Sequence, residues 1–239
     1  MLTLQKQANK IKGETPFLTG GVRMSLELFM EVFTKIFIGG ITVTIPLTII
    51  SFFFAMIIAI LVAIVQVAKV PVLKQLARLY VRFIRGTPLI VQLYIVYFGV
   101  PYFNIKLSGW LSAVLVFSIN TGAYASETMR GAIESVPKGQ FEAGYCVGMS
   151  YSQIMTRIIL PQAMKIAFPS LGNSLISLTK DTSLAASITV GEMFLEAQKI
   201  VSRTWETFPI YLSLAFVYLF FCTIMEIVQR KFEKKMDLK

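Results

Sequence analysis

The sequence predicts an all-α membrane protein with about five transmembrane helices. Of its 239 residues, 55% are hydrophobic and 15% are charged, and the mean hydropathy is +0.68. A soluble domain has a smaller apolar share and about 25% charged residues. Several apolar runs approach or exceed the ~20 residues that cross ~30 Å of hydrocarbon as a helix. The runs are continuous instead of alternating, which favours helices over a membrane β-barrel.

Each predicted span is an apolar stretch bounded by polar or basic residues. The five spans cover residues 37–67, 88–102, 110–129, 160–179 and 209–228. The first is long enough to tilt, and Pro46 is its expected kink. The second is short, and we expect the amphipathic "VRFI" before it to extend it. Aromatic residues that favour the headgroup layer lie near span ends: Tyr102, Trp110, Trp205 and Tyr211.

The chain divides into an N-terminal segment (1–35), a membrane domain (36–230) and a basic tail (231–239). The first ~20 residues, "MLTLQKQANKIKGETPFLTGG", lack the apolar core and cleavage site of a secretory signal. In "VRMSLELFMEVFTKIF" apolar residues recur at helical spacing, and charged residues stand four apart from Arg23 to Lys35. This pattern predicts an amphipathic helix lying on the membrane surface.

The distribution of Lys and Arg predicts the orientation, because cytoplasmic loops carry the excess. Fourteen of the 23 basic residues fall on one side of the five spans, in the 69–85 cluster, the 130–165 loop and residues 230–239. The other side has nine, five of them in the N-terminal segment. We therefore expect the N-terminus outside and the C-terminus in the cytoplasm; an N-terminal helix that began inside would need an even number of spans.

The chain offers few residues for catalysis or metal binding. It has no His and two cysteines, Cys146 and Cys222, without metal-binding or redox spacing around them. We expect no metal site and interpret both cysteines as packing residues. The net charge of +10 includes Lys69 to Arg85 just before the second span, and that placement favours an orientation signal over nucleic-acid binding.

The segment "FEAGYCVGMSYSQIMTRIILPQA", residues 141–163, is a polar stretch between the third and fourth spans on the predicted cytoplasmic side. Ser135 is a candidate cap for a helix that starts near Pro137 and is interrupted at Gly144 and Gly148. Two small residues four apart permit close approach of another backbone. Leu160 and Pro161 then begin the next span. The physics leaves open a helix that accepts a partner protein or one that packs only on its own chain.

The spacing within this segment resembles the EAA loop of permease subunits of ATP-binding cassette (ABC) importers. The matching residues are Glu142, Ala143, Gly144, Gly148, Ile158, Leu160 and Pro161. Gly144 stands where that family usually has Ala, a change between small residues that we expect to keep the fit. The stretches "FIRGTPLIVQL", "ETMRGAIESVPKGQ" and "NSLISLTKDTSLAASITVGE" are similar to the polar amino acid branch, and the resemblance covers about residues 35–230.

The resemblance implies a type I ABC importer permease fold in the bacterial cytoplasmic (inner) membrane. It also implies three partners: a cytoplasmic ATPase dimer contacted through Glu142 and the first glycine, an external solute-binding protein, and a second permease, either an identical copy or a relative. The chain has no Gly-Lys dipeptide and so no phosphate-binding loop. We therefore expect a transport subunit without cofactors or catalytic residues, with ATP and Mg²⁺ held by the ATPase.

Polar residues in and after the fourth span are candidates for contact with an amino acid substrate, since polar groups in spans are costly. They are Asn173, Ser174, Ser177, Asp181, Thr182 and Ser183, with Lys180 among them. Asp181 is suited to an ammonium group, and hydroxyls or backbone N–H groups to a carboxylate. The alternative is that Lys180 and Asp181 mark the end of the span. The absence of further acids or a basic pair favours a net neutral zwitterion such as cystine.

Four residues form a second tier of candidates: Thr87, Gln92, Asn120 and Glu127. Thr87 is more simply a cap before Pro88, and Glu127 a partner for Arg130 three residues later. A different class, an ion-coupled secondary transporter or channel, would show internal repeats or several carboxylates in its spans. A membrane enzyme would need a clustered acid pair or a nucleophile. The sequence displays neither pattern.

Overall fold

The computed structural model describes residues 26–68 and 70–237, which form helices joined by short turns, with no strand among them. The predictions made for residues 1–25, for Lys69 and for the last two residues lie outside this part of the chain. The all-helical prediction is confirmed across the described residues.

The described part of the chain begins with one long helix, where the sequence had predicted a surface helix and a separate first span. Helix α1 (Leu26–Gly39) passes through a five-residue π-helical turn (Gly40–Thr44) into α2 (Ile45–Val67). The surface helix expected near residues 22–37 is therefore joined to the first span without a break at residue 35. Its apolar stripe is used for packing, because Val32 and Ile36 are fully buried. Pro46 lies in the first turn of α2, just after the π turn, where its missing N–H is tolerated.

The second predicted span is sharply broken near its start. Helix α3 (Pro71–Arg85) and the segment from α4 (Leu89–Tyr94) through a π turn (Ile95–Gly99) to a 3₁₀ turn (Val100–Phe103) are bent by 103°. The expected extension of the span by "VRFI" is thus wrong. Helix α3 ends at Arg85, and Pro88 prevents it from continuing, because proline has no N–H and disfavours a helical conformation in the residue before it.

The remaining helices include the last three predicted spans, the predicted short helix near Pro137 and two short helices that were not predicted. They are α5 (Gly109–Ser135), α6 (Lys138–Cys146), α7 (Tyr151–Ile154), a π turn (Met155–Ile159), α8 (Leu160–Asp181), a 3₁₀ turn (Thr182–Ile188), α9 (Met193–Thr204) and α10 (Thr207–Asp237). Helix α9 was not predicted, because it is short and amphipathic. Tyr102 and Trp205 are exposed at helix ends, whereas Tyr211 stacks on Phe194.

Two helices in the described part of the chain are long and apolar enough to cross a membrane unaided, Phe29–Val67 and Thr207–Lys235, and the bent α3–α4 pair raises the number to three. Helices α5 and α8, with 27 and 22 residues, reach about 40 and 33 Å at 1.5 Å per residue. Helix α5 has buried polar residues, among them Ser112, Ser118 and Ser126, whereas the buried residues of α8 are apolar except for Thr179. The count of five spans stays a prediction.

Helices α2 and α5 pack closely against each other. Ser118 Oγ donates to the carbonyl of Ser51 over 3.1 Å, and a Cβ on Gly122 would lie 2.8 Å from Ile58. Because increasing numbers on α2 face increasing numbers on α5, the two helices run in the same direction. Small residues in this contact, among them Ala55, Ala59 and Ala125, are fully buried and permit the short separation.

Candidate functional site

The polar segment between α5 and α8 folds as two short helices. Helix α6 follows Pro137 as its N-cap and continues through Gly144 to Cys146. Ser135 does not cap it, since its Oγ donates to the carbonyl of Ala132 over 2.8 Å. The expected interruption at Gly144 is wrong, but Gly148 does end the helix, with φ of 75°.

The turn after α6 is a Schellman motif. The N–H of Met149 donates to Gly144 O and that of Gly148 to Tyr145 O, both over 3.0 Å. Helix α7 then begins with a capping box in which the Ser150 hydroxyl accepts from Gln153 N and the Gln153 side chain accepts from Ser150 N. These reciprocal bonds make the connection from α6 to α7 a defined turn.

Gly144 is buried in the angle between α6 and α7. A Cβ at this position would lie 2.6 Å from Cγ1 of Ile154, and Ile154 is fully buried. The close approach expected of the glycines is therefore made to Ile154 of the same segment. An alanine here would displace Ile154, so the two small residues are not interchangeable in this packing.

The outer face of α6 is exposed. Glu142, Ala143, Cys146 and Gly148 are all exposed, as are Tyr145 and Val147, the latter at 75%. Cys146 is thus not the packing residue that the sequence suggested. Ile158 and Leu160, in contrast, pack on the core beneath the segment, and Pro161 lies in the first turn of α8 as predicted. We call the exposed residues Glu142, Ala143 and 145–148 the α6 surface.

A second feature is a cavity of about 640 Å³ where α4, α5 and α8 meet, which we call the polar cavity. Four of the predicted residues line it: Thr87, Ser174, Ser177 and Asp181. The second-tier residue Asn120 lines it as well, together with Arg85, Gly86, Pro88, Leu89, Thr121, Tyr124 and Leu184. Ser174 and Ser177 lie one turn apart on α8, and Asp181 ends that helix.

Gln92 supports the polar cavity from behind. Its Nε2 donates to Thr87 Oγ1 and to the carbonyl of Ile84, both over 2.8 Å, and its Oε1 accepts from Asn120 Nδ2 over 3.0 Å. The sequence predicted that Thr87 would cap α4, and this prediction is wrong. Its hydroxyl instead donates to the carbonyl of Phe83 over 3.0 Å, at the end of α3.

The other predicted residues lie away from the polar cavity. Asn173 faces Gln229 of α10 at 3.5 Å, and Thr182 is fully buried with its hydroxyl donating to Thr179 O. Lys180 and Ser183 line a separate cavity of about 600 Å³ beside α10. Lys180 and Asp181 are therefore divided between two cavities.

A third cavity of about 510 Å³ adjoins the polar cavity, and we call it the basic cavity. It is lined by Arg78, Val81, Arg82, Arg85, Gly86, Tyr124 and Glu127. The Arg85 guanidinium carbon lies 5.1 Å from the centre of the Tyr124 ring, a cation–π contact. Glu127 forms the expected ion pair with Arg130 over 2.9 Å, and Arg130 also pairs with Glu134 over 2.7 Å.

Comparison with known proteins places these features in a family. Residues 55–238 match the model of the binding-protein-dependent transport system inner membrane component. The chain belongs to this family. The permease is 47% identical over 223 residues to the L-cystine transport system permease protein TcyB of Bacillus subtilis, covering 93% of this chain and 95% of the relative. It is 39% identical over 227 residues to the probable amino-acid ABC transporter permease protein YckA of the same species, covering 95% and 97%.

Solved structures agree with this assignment. A chain from the crystal structure of an amino acid ABC transporter with histidines superposes with a TM-score of 0.79 at 30% identity, covering 89% of the permease and 100% of that chain. A chain of the MetNI methionine ABC transporter in an inward-facing conformation gives a TM-score of 0.74 at 15% identity over 89% and 99%, which shows the fold alone. The predicted type I importer permease fold and the function as a transmembrane permease subunit are confirmed over the secondary transporter or channel.

Sequence reasoning missed Arg85, Thr121 and Tyr124 of the permease. Arg85 was grouped with the basic residues that set orientation, although it precedes the Gly-Thr-Pro turn that bends α3 away from α4. That turn was the available signal, because a residue just before a sharp break between helices faces the space that the break opens. Thr121 and Tyr124 follow Asn120 on one face of α5 and had no separate signal.

Proposed function

We propose that this permease carries a zwitterionic amino acid through the polar cavity, as part of an ATP-driven importer. The observation that carries the proposal is the pair of charged residues in the lining, Arg85 on one helix and Asp181 on another. Asp181 is suited to the ammonium group of the substrate and Arg85 to its carboxylate. The hydroxyls of Thr87, Ser174 and Ser177 supply further hydrogen bonds.

The balance of charge supports a substrate with no net charge. To bind a strongly cationic amino acid, the cavity lining would need more acidic than basic residues. To bind a dicarboxylic amino acid, it would need a second basic residue. The cavity volume of about 640 Å³ falls in the usual range of small-molecule sites, about 300–1,000 Å³. L-cystine fits this description, and the 47% identity to an L-cystine permease supports it as the substrate. Another polar amino acid is the second candidate.

The proposed transporter has three components besides this permease. An ATPase dimer docks on the α6 surface, which displays Glu142, Tyr145 and Val147 to solvent, and holds ATP and Mg²⁺. A solute-binding protein delivers the amino acid from outside. A second permease, identical or related, completes the path. In this assembly α6 and the C-terminus face the cytoplasm, and the N-terminus lies outside.

The route from ATP to substrate runs through α8. The packed α6–α7 turn joins the π turn Met155–Ile159 and then α8 at Leu160, so movement of the α6 surface is passed to a helix that carries Ser174, Ser177 and Asp181. Closure of the ATPases on ATP pulls the α6 surfaces together and turns the polar cavity outward. Release of the products returns it to the cytoplasm.

The test is uptake of labelled L-cystine into proteoliposomes holding the permease with its ATPase and binding protein. We expect uptake that requires ATP, and a loss of at least tenfold in Asp181→Ala with the ATPase still bound. Ser183→Ala is the control, since Ser183 is two residues after Asp181 but lines a different cavity. Uptake without ATP, or Asp181→Ala at the wild-type rate, would contradict the proposal.

A further inference from the structure

The polar cavity and the basic cavity share part of their walls. Arg85, Gly86 and Tyr124 line both, so these residues form the boundary between two spaces of about 640 and 510 Å³. An amino acid leaving the polar cavity past this boundary enters the basic cavity directly.

The two cavities follow one another along α5. Asn120 and Thr121 line the polar cavity, whereas Glu127 lines the basic cavity and lies about 10 Å further along the helix at 1.5 Å per residue. Helix α5 continues to Ser135, and α6 begins at Lys138. The basic cavity is therefore nearer to the α6 surface, on the side to which an imported amino acid must leave.

The basic cavity presents a row of guanidinium groups. Arg78, Arg82 and Arg85 line it, and their spacing of four and three residues places them on one face of α3. Glu127 is the acid in the lining, and its carboxylate is already paired with Arg130. The row thus keeps an excess of positive charge that attracts the carboxylate of an amino acid.

The boundary has the form of a movable barrier. The Arg85 guanidinium lies over the Tyr124 ring at 5.1 Å, and the next residue, Gly86, begins the break where α3 and α4 diverge by 103°. A few residues between helices are enough to absorb the rotation of a hinge. Movement at Gly86 would lift Arg85 from the ring and connect the two cavities.

We propose that the basic cavity is a second, transient site for the carboxylate of the substrate on the cytoplasmic side, and that the Arg85–Tyr124 pair is the barrier between it and the polar cavity. This proposal rests on the proposed function, because it takes the polar cavity as the first site. The amino acid passes from Arg85 to Arg82 and Arg78 as it leaves, while Tyr124 separates the cavities whenever the polar cavity faces outward.

The experiment uses the complete transporter in liposomes preloaded with labelled L-cystine, with the ATPases trapped closed by ADP and vanadate. In wild type we expect slow efflux; in Tyr124→Ala we expect efflux at least fivefold faster, and in Tyr124→Phe, which keeps the ring, a rate within twofold of wild type. Tyr124→Leu is the second variant if Tyr124→Ala does not assemble. Equal efflux in wild type and in Tyr124→Ala or Tyr124→Leu would overturn the barrier.

Arg82→Gln tests the second site. We expect its maximal ATP-driven uptake to fall at least threefold while the KM stays within twofold, because the first site is intact. The control is Lys106→Gln, which removes an exposed charge from the loop between Phe103 and Gly109. Unchanged maximal uptake in Arg82→Gln would overturn the second site. A wild-type transporter without ATP-driven uptake of any amino acid would instead count against the proposed function.

Discussion

Asn120 and Gln92 are joined by a hydrogen bond of 3.0 Å that ties α5 to α4 behind the polar cavity. The Gln92 amide nitrogen is at the same time bonded to the end of α3 and to the turn at Thr87. One side chain therefore sets the distance between three helical segments. Both residues are at least nine-tenths buried, at 8% exposure each, where unpaired polar groups are costly.

Replacing Gln92 with Leu should destabilise the permease, although the two side chains are similar in size. The substitution leaves the Asn120 amide without its acceptor, and an unsatisfied buried donor costs about 1–3 kcal/mol. For a chain of this length that corresponds to a fall in Tm of roughly 2–12 °C. Thermal unfolding of the purified permease in detergent, followed by Trp fluorescence, measures the change. The matched control is Gln75→Leu, on the exposed face of α3, and equal Tm values for the two variants would contradict the role of the bond.

Gly148 should be sensitive to substitution because of its backbone conformation and its place on the α6 surface. A Cβ there would meet nothing within 4 Å, but its φ is 75°, which costs a residue with a side chain about 1–2 kcal/mol. We expect Gly148→Ala to reduce ATP-driven uptake several-fold, and Gly148→Trp to reach the membrane yet lose the ATPase in a pulldown. Gly139→Ala is the control, since Gly139 also has open space around it and lies within α6. Full ATPase capture by Gly148→Trp would argue against docking at the α6 surface.

Gly144 should be sensitive for a different reason, the contact with Ile154. Because a Cβ would lie 2.6 Å from Cγ1 of Ile154, Gly144→Val should separate α6 from α7 and uncouple ATP hydrolysis from uptake. Trimming the neighbour makes room, so we expect Ile154→Ala to restore part of the coupling to Gly144→Val. The ratio of amino acid transported to ATP hydrolysed is the measurement. If the double variant is as impaired as the sum of the two single variants, packing between these residues is not the cause.

The sequence predicted the α6 segment better than the polar cavity, and the difference has a physical basis. The signals for a helix start near Pro137, a helix-interrupting glycine and a Leu-Pro entry into a span are local, so the structural places of Gly148, Leu160 and Pro161 could be predicted from the chain alone. The cavity depends on which faces of α3, α5 and α8 meet. Residues three apart on a helix, such as Ser174 and Ser177, share a face, but no local pattern shows that Arg85 and Tyr124 face them across the cavity.

The roles of helices α1 and α9 also depend on contacts that are distant in sequence, and the sequence did not predict them. The amphipathic pattern of α1 predicted a helix that lies on the membrane surface. In the structure its apolar stripe packs on α9 and α10 instead, where Val32 and Ile36 are buried in one cluster with Met193 and Ile210. An apolar stripe indicates that something covers it without identifying the partner. Helix α9 was missed for the same reason, since its partner stripe lies more than 150 residues earlier in the sequence.

Glu192 joins α9 to α10 through hydrogen bonds, and substitutions at this residue test how strongly the two helices are held together. It is fully buried, and its carboxylate accepts from Phe194 N and Leu195 N, both over 2.8 Å, and from the Tyr218 hydroxyl over 3.0 Å. Glu192→Ala removes all three acceptor contacts, Glu192→Gln leaves one acceptor oxygen, and Tyr218→Phe removes a single bond. The loss of stability should therefore decrease in that order, with about 2–4 kcal/mol for Glu192→Ala, since it leaves an uncapped helix and a buried hydroxyl.

A double-mutant cycle distinguishes this network from simple loss of packing. Because Glu192→Ala already breaks the bond to Tyr218, adding Tyr218→Phe should cost less than it does alone, and should relieve the unpaired hydroxyl. The measurement is the midpoint of thermal unfolding in detergent for the four proteins of the cycle. Glu206→Ala, at an exposed position after α9, is the control. Additive losses would mean that Glu192 acts only as the helix cap, and the connection between α9 and α10 would then depend on apolar contacts such as that of Phe194 with Tyr211.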